Sequence, residues 1–308
     1  MTRDEVFGLL ERPEVYAVYW GAPAGDPRGP SRWVVRRNGY GDGSVVRKSL
    51  SFGPGEPDEG VNWVFEDGGP VVAHLEPGDR CVPWSAGAGY YEAGAGTVTA
   101  MVPAGGGQPA QVLFAGHAGG PRENGALVWS YRAPRGEGYP LWVQGNGSAE
   151  ARVELSEVDG VVDVGLASFA SADLDARHIV TGDAPPYRTL GDVPANTPVR
   201  HWSRMLGGRR EGRVRGGPGP GGLSAVKVKV DDRVVIYQGV WVVVEDGGGA
   251  FSSHGDSGSL VFSDRSVLGP VVAGDEVPGE GGLQSYVLPA RALVSVFGLP
   301  TYRRFFIG

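Results

Sequence analysis

His254-Gly255-Asp256-Ser257-Gly258-Ser259, followed by Leu260-Val261-Phe262, is the stretch on which the reading of this chain turns. A serine held between glycines in a tight turn, with an apolar strand behind it, is a way of displaying a hydroxyl nucleophile. Glycines at 255 and 258 let the backbone bend with few steric limits and bring main-chain N–H groups close to a substrate carbonyl. A serine hydroxyl is a weak nucleophile until a base takes its proton. The base works best when an acid fixes its tautomer and supports the imidazolium that forms. Ser257 therefore needs a histidine and an acid from elsewhere in the chain.

Five histidines are available: His74, His117, His178, His201 and His254. His117 sits in Leu113-Phe114-Ala115-Gly116-His117-Ala118-Gly119, after an apolar strand and among small residues that leave room for an imidazole to face a cleft. Asp163 is embedded in the apolar run Val161-Val162-Asp163-Val164-Gly165-Leu166. An acid there carries a desolvation cost unless it is hydrogen-bonded, and an imidazole N–H is a suitable partner. His254 and His178 are the rivals for the base; His254, three residues from Ser257, reads better as lining a pocket mouth. His74 is lone and reads as a satisfied structural histidine. No paired His, Cys or carboxylate spacing recurs, so neither a metal nor a cofactor is expected.

The surrounding chain reads as all-β. It has 308 residues, 41% of them hydrophobic and 20% charged, and its deviation is turn chemistry, with 53 glycines and 24 prolines between short Val-rich runs. That pattern predicts many short strands in a sandwich or barrel. The single Cys81 excludes an intrachain disulfide and reads as a small hydrophobe. The first ten residues carry acids where a signal peptide needs an apolar core, and no apolar run approaches the ~20 residues of a membrane span. The expectation is a soluble, cytoplasmic protein with no membrane partner. A net charge of −7 argues against nucleic acid, and Arg209-Arg210 with Arg213-Val214-Arg215 reads as a solvated loop.

Asp4 to Arg12 fits a short amphipathic helix ended by Pro13. Strand-like runs follow at Val15 to Trp20, Trp33 to Arg37, Val45 to Phe52, Val61 to Glu66 and Val71 to Leu75. These predict an N-terminal accessory β module over 1–90, bounded by the Gly- and Ala-rich stretch from Ser85 to Gly96. A second unit over 91–308 has strands from Thr97 onward, including Val226 to Val230 with a period of two, and ends in a helical spacing at Ala290 to Phe297.

In Ala115-Gly116-His117, Asp163-Val164-Gly165-Leu166 and Gly255-Asp256-Ser257-Gly258-Ser259, taken in that order and spacing, the chain resembles the chymotrypsin-like, or trypsin-like, serine peptidases. The resemblance covers about residue 94 to the end, and its lack of disulfides suits intracellular bacterial or viral members. It implies two Greek-key β-barrels with the site in the crevice between them. His117 would be general base and then acid, Asp163 the orienter and Ser257 the nucleophile, with the N–H groups of Gly255 and Ser257 as oxyanion hole. Gly269-Pro270-Val271-Val272-Ala273-Gly274 falls where that family pairs a strand with the substrate backbone, which assigns Val272, Ala273 and Gly274 to substrate binding. Phe251 would form the pocket floor and His254 its mouth. A phenyl floor favours a small or apolar residue before the scissile bond, while Asp275 and Glu276 near the rim would attract a cation.

The sequence departs from the family at Ala115, where a threonine or serine is usual. Secreted members pair the acid at Asp256 with an N-terminus made by cleavage; no obvious activation site stands at the boundary here. Either Asp256 finds another partner or the enzyme is matured or switched in another way. The function implied is a serine endopeptidase acting on a protein or peptide through an acyl-enzyme. The alternatives are a catalytically silent protease-fold binding module and a protease that processes its own chain once. The accessory module is open between an exosite, an inhibitor and a docking site for a regulatory partner.

Overall fold

The computed structural model describes residues 1–38, 63–68, 71–72, 80–85, 89–90, 96–102, 109–144, 148–169, 188–189, 193–203, 206, 208–231, 233–264, 266–279 and 281–306. The strand expected over 45–52, most of the run to Leu75, His74 and His178 lie outside them. The chain opens with α1 (Arg3–Leu10), which is capped as its sequence requires. Thr2 Oγ1 accepts from the Glu5 N–H, and Glu5 reaches back to the Thr2 N–H. Val6, Leu9 and Leu10 form the buried face. Four strands follow: β1 (Val15–Gly21), β2 (Arg32–Asn38), β3 (Trp63–Gly68) and β4 (Val71–Val72).

The next strands build the first barrel: β5 (Arg80–Ser85), the short β6 (Gly89–Tyr90), β7 (Gly96–Val102) and β8 (Gln111–Phe114). The one-turn helix α2 (Gly116–Gly119) and the short strands β9 (Arg122–Glu123), β10 (Ala126–Leu127) and β11 (Ser130–Arg132) lead to β12 (Tyr139–Gln144), β13 (Ser148–Val158) and β14 (Asp163–Phe169). The antiparallel pairings β5–β7, β7–β8, β8–β14, β14–β13, β13–β12 and β12–β5 close a six-stranded ring. Its core takes alternate residues from four of these strands: Val112 and Phe114, Leu141 and Val143, Ala151 and Val153, Ala167 and Phe169.

The second barrel follows β15 (Arg188–Thr189). It uses β16 (Pro198–Ser203), β17 (Gly208–Gly217), the hairpin β18 (Ala225–Val230) and β19 (Arg233–Gln238), then β20 (Trp241–Glu245), β21 (Leu260–Ser263), β22 (Ser266–Asp275) and β23 (Gln284–Val287). Leaving out the hairpin, the antiparallel pairs β16–β17, β17–β20, β20–β23, β23–β22, β22–β21 and β21–β16 close a ring. In both rings the first three strands in sequence run side by side, and the last three return in reverse order. The fold is therefore a double Greek-key β-barrel of the chymotrypsin-like type. The C-terminal helix α3 (Arg291–Phe306), broken at Gly298 where φ is +73, contributes Ala292 and Leu293 to a core with Leu113, Val164, Leu166 and Val267 from the two barrels.

The pairing of the N-terminal strands crosses the boundary expected at residue 90. β5 lies before that boundary and is a wall of the first barrel. β1 pairs with β17 at Trp20↔Gly217 and with β18 at Ala17↔Val226. β2 pairs with β1, and β3 lies parallel to β2. β4 pairs with β22 and with β18. The strands β17, β1, β18, β4, β22, β23 and β20 thus close a further ring against the outer wall of the second barrel. Its interior holds Tyr16, Ala17, Tyr19, Val226, Val228, Val242, Val272, Ala273 and Tyr286. A Gly- and Ala-rich composition marks chain reversal as readily as a linker, which is why it reads as a domain boundary in sequence alone.

Candidate active site

His117 lies on α2, the turn that follows β8, and Asp163 opens β14, the strand hydrogen-bonded to β8. The two meet because adjacent strands of one barrel end side by side. Asp163 Oδ1 accepts the main-chain N–H of His117 at 2.8 Å, and Oδ2 is hydrogen-bonded to His117 Nδ1. Oδ2 also accepts the Tyr237 hydroxyl at 2.8 Å. His117 is 0% and Asp163 1% exposed, so an acid in an apolar run has found the partners its burial demands. With Nδ1 bound to a carboxylate, the other ring nitrogen carries the lone pair. Among the described residues, His117 Nε2 has no hydrogen-bond partner. Arg122 fixes the turn from behind, donating to the His117 carbonyl at 3.1 Å.

Ser257 sits in the turn before β21, and β7 and β22 hold that turn from both sides. The Thr97 N–H donates to the Ser257 carbonyl at 2.7 Å, and the Thr97 hydroxyl donates to the Gly255 carbonyl at 2.5 Å. The Gly258 N–H donates to the Val271 carbonyl at 2.8 Å, and the Val271 N–H donates to the Ser259 carbonyl at 2.9 Å. Gly255 and Gly258 have φ of +89 and +93, the left-handed region that disfavours side chains. A Cβ on Gly258 would also stand 2.3 Å from the Thr97 carbonyl oxygen. The His117 and Ser257 turns converge on one point of β7: a Cβ on Gly96 would meet Ala118 Cβ at 2.5 Å and the Ser257 carbonyl oxygen at 3.0 Å.

Asp256 has a partner that does not depend on a cleaved N-terminus. Its Oδ2 accepts the Ser203 hydroxyl at 2.7 Å and the Ser253 N–H at 2.9 Å. Burial nevertheless dominates and pushes its carboxyl up to about 6. Nearby, His201 Nε2 donates to the Phe251 carbonyl at 2.6 Å and Nδ1 meets the Ser259 hydroxyl at 2.9 Å. Burial pushes this imidazole down to about 4, so His201 is a neutral brace of the Ser257 turn. Its role has no local sequence signal.

The residues expected to bind substrate are placed differently from one another. Phe251 is fully buried in the second barrel's core, its ring 4.5 Å from that of His201, so it is a core residue where a pocket floor was expected. His254 is part-exposed, with Nε2 3.9 Å from Glu276 Oε1. Val272 and Ala273 are fully buried in the core that β22 shares with the N-terminal strands, and Gly274 pairs with Val72 of β4. The strand edge expected to be open to a peptide is thus covered at Gly274 and Asp275. Asp275 is not a rim residue: it is buried, paired with Arg36 Nη1 at 2.9 Å, and pushed up to about 6 by burial. Gln284 and Tyr286 donate to the same carboxylate.

No family model and no curated protein matches the chain. Among solved structures it is similar to Thermobifida fusca protease A, at 14% identity over 76% of this chain and 99% of that one, with a TM-score of 0.44. It is similar to a Nocardiopsis protease at 14% identity, 72% and 96% coverage and a TM-score of 0.43. A glutamic-acid-specific serine protease shows 16% identity, 66% and 91% coverage and a TM-score of 0.42. The strand pairings, rather than these likenesses, define the fold. No helix among the described residues is long and apolar enough to cross a membrane.

Proposed function

We propose that the chain is a serine endopeptidase that cuts protein or peptide substrates. The observation that carries this reading is the buried His117–Asp163 pair, bonded through Nδ1 so that Nε2 is left as the basic nitrogen. In the reaction, Ser257 Oγ attacks the scissile carbonyl carbon while His117 Nε2 takes its proton. The oxyanion that forms is met by the N–H groups of Gly255 and Ser257. His117 returns the proton to the leaving amine, the C–N bond breaks, and an acyl-enzyme remains. Water, activated by the same imidazole, attacks the ester and releases the acid. Asp163 keeps the imidazole in the productive tautomer throughout.

A second reading, a catalytically silent or latent protease fold, is favoured by a different observation. His117 and Ser257 are both 0% exposed, and β4 covers the edge of β22. Fluorophosphonate labelling of the full-length protein separates the two. The peptidase reading expects a covalent adduct on Ser257, none in Ser257→Ala, and labelling slowed on the order of a thousandfold or more in His117→Ala. A folded parent protein that never labels would overturn it in favour of the silent form.

A further inference from the structure

The β18–β19 hairpin interrupts the second barrel between β17 and β20 and reaches the His117–Asp163 pair at separate points. The Tyr237 hydroxyl donates to Asp163 Oδ2, with both side chains buried. The Gln238 N–H donates at 2.8 Å to the carbonyl of Gly160, in the turn that leads into Asp163. At the hairpin's own turn Asp231, with φ of +52, accepts from Arg122 Nη1 at 2.8 Å. Through its other terminal nitrogen, that arginine donates to the His117 carbonyl. Burial, with the Asp163 charge adding to it, raises the Tyr237 phenol well above its usual value of 10, so the hydroxyl keeps its proton and donates.

An Asp carboxylate turns broadly about its last torsion unless its oxygens are held. Here Oδ1 is held by one main-chain N–H, and Oδ2 has two donors, Nδ1 of His117 and the hydroxyl of Tyr237. We propose that Tyr237 is a positioning residue for this site: its hydroxyl fixes the plane in which the Asp163 carboxylate meets His117 Nδ1. The hairpin is then part of the reactive assembly. The consequence for rate rests on the peptidase reading; the positioning itself is readable on His117 alone.

Proton NMR of the His117 Nδ1–H in full-length protein reads the pair whether or not Ser257 reacts. In Tyr237→Phe the resonance is expected to be displaced and broadened. Fluorophosphonate labelling of Ser257 is expected to slow about tenfold, the weight of one hydrogen bond to a charged group, at an unchanged half-saturating reagent concentration. An unchanged position and width overturn the proposal. Val235→Ala, which trims a buried side chain of the same strand, is expected to lower stability and leave the resonance in place. An equal displacement in that variant would overturn the proposal too, because any loosening of the hairpin would then suffice. Should Tyr237→Phe not fold, 3-fluorotyrosine in place of Tyr237 keeps the ring and strengthens its donation, and is expected to move the resonance in the opposite sense; no movement counts against the idea. A parent protein that shows the resonance but never labels removes the peptidase reading and leaves the role of Tyr237 standing.

Discussion

Asp256 lies beside the serine in sequence and has an environment that works against its charge. Between about pH 4 and about pH 6 the folded protein holds a proton on this carboxyl that the unfolded chain has released. The folded state binds more protons there, so this group lowers stability as pH rises through the window. Asp256→Asn removes the effect. The variant's stability relative to the parent is therefore expected to rise from about pH 4 to about pH 6 and then level off, as urea midpoints across that range would show. A difference that stays constant with pH would mean that Asp256 is ionised throughout. His201 acts with the opposite sign. Its folded form stays neutral down to about pH 4, so its contribution is lost as pH falls below its ordinary value near 6.5. The sequence shows His117, Asp163 and Ser257 because each carries a local mark: small neighbours, an acid in an apolar run, a glycine-framed turn. Tyr237 carries none. A tyrosine in a strand looks like any sheet residue, and its partner lies 74 positions earlier.

At the level of elements, β20 and β22 bury both faces. Val243 and Val271 face the second barrel's core, while their neighbours Val242 and Val272 face the core built with β1 and β18. The uninterrupted runs Trp241-Val242-Val243-Val244 and Val271-Val272-Ala273 are what a strand covered on both sides requires. Reading them as ordinary barrel strands misses the second cover, since a short apolar run shows that it is buried without saying by what. Trimming either face tests this. Val242→Ala and Val243→Ala are each expected to cost about 2 kcal/mol in urea unfolding. A near-zero effect for Val242→Ala would mean that the outer face is exposed to water.

The second barrel and the ring beside it share β17, β20, β22 and β23 as walls, and β1, β2, β3 and β4 all pair into that one sheet. Arg36 of β2 is fully buried against Asp275 of β22, and Glu66 of β3 pairs with Arg215 of β17 at 2.6 Å. Removing residues 1–38 would strip the cover from Val242, Val272 and Tyr286 and leave Asp275 buried without its cation. Breaking one partner from such a pair is strongly destabilising. The shortened chain is expected to be recovered only as aggregate, by size-exclusion chromatography of the expressed protein; a monomeric, cooperatively melting product would show that the barrels stand alone. The two barrels are legible in sequence because each strand is short and flanked by turns. The third closure is not, because its partners lie far apart in the chain and no local pattern records them.

The seating of β1 also has a consequence for the order in which the chain takes shape. Trp20 leaves the ribosome first, yet its partner Gly217 follows roughly 200 residues later. Tyr16, Ala17 and Tyr19, all buried at the end, have to wait through the synthesis of the entire first barrel before Val226, Val228 and Val242 exist to cover them. Contacts so distant in sequence form slowly, and apolar strands kept waiting are open to wrong pairing. Until β17 and β18 have been made, β1 is thus a strand without those partners.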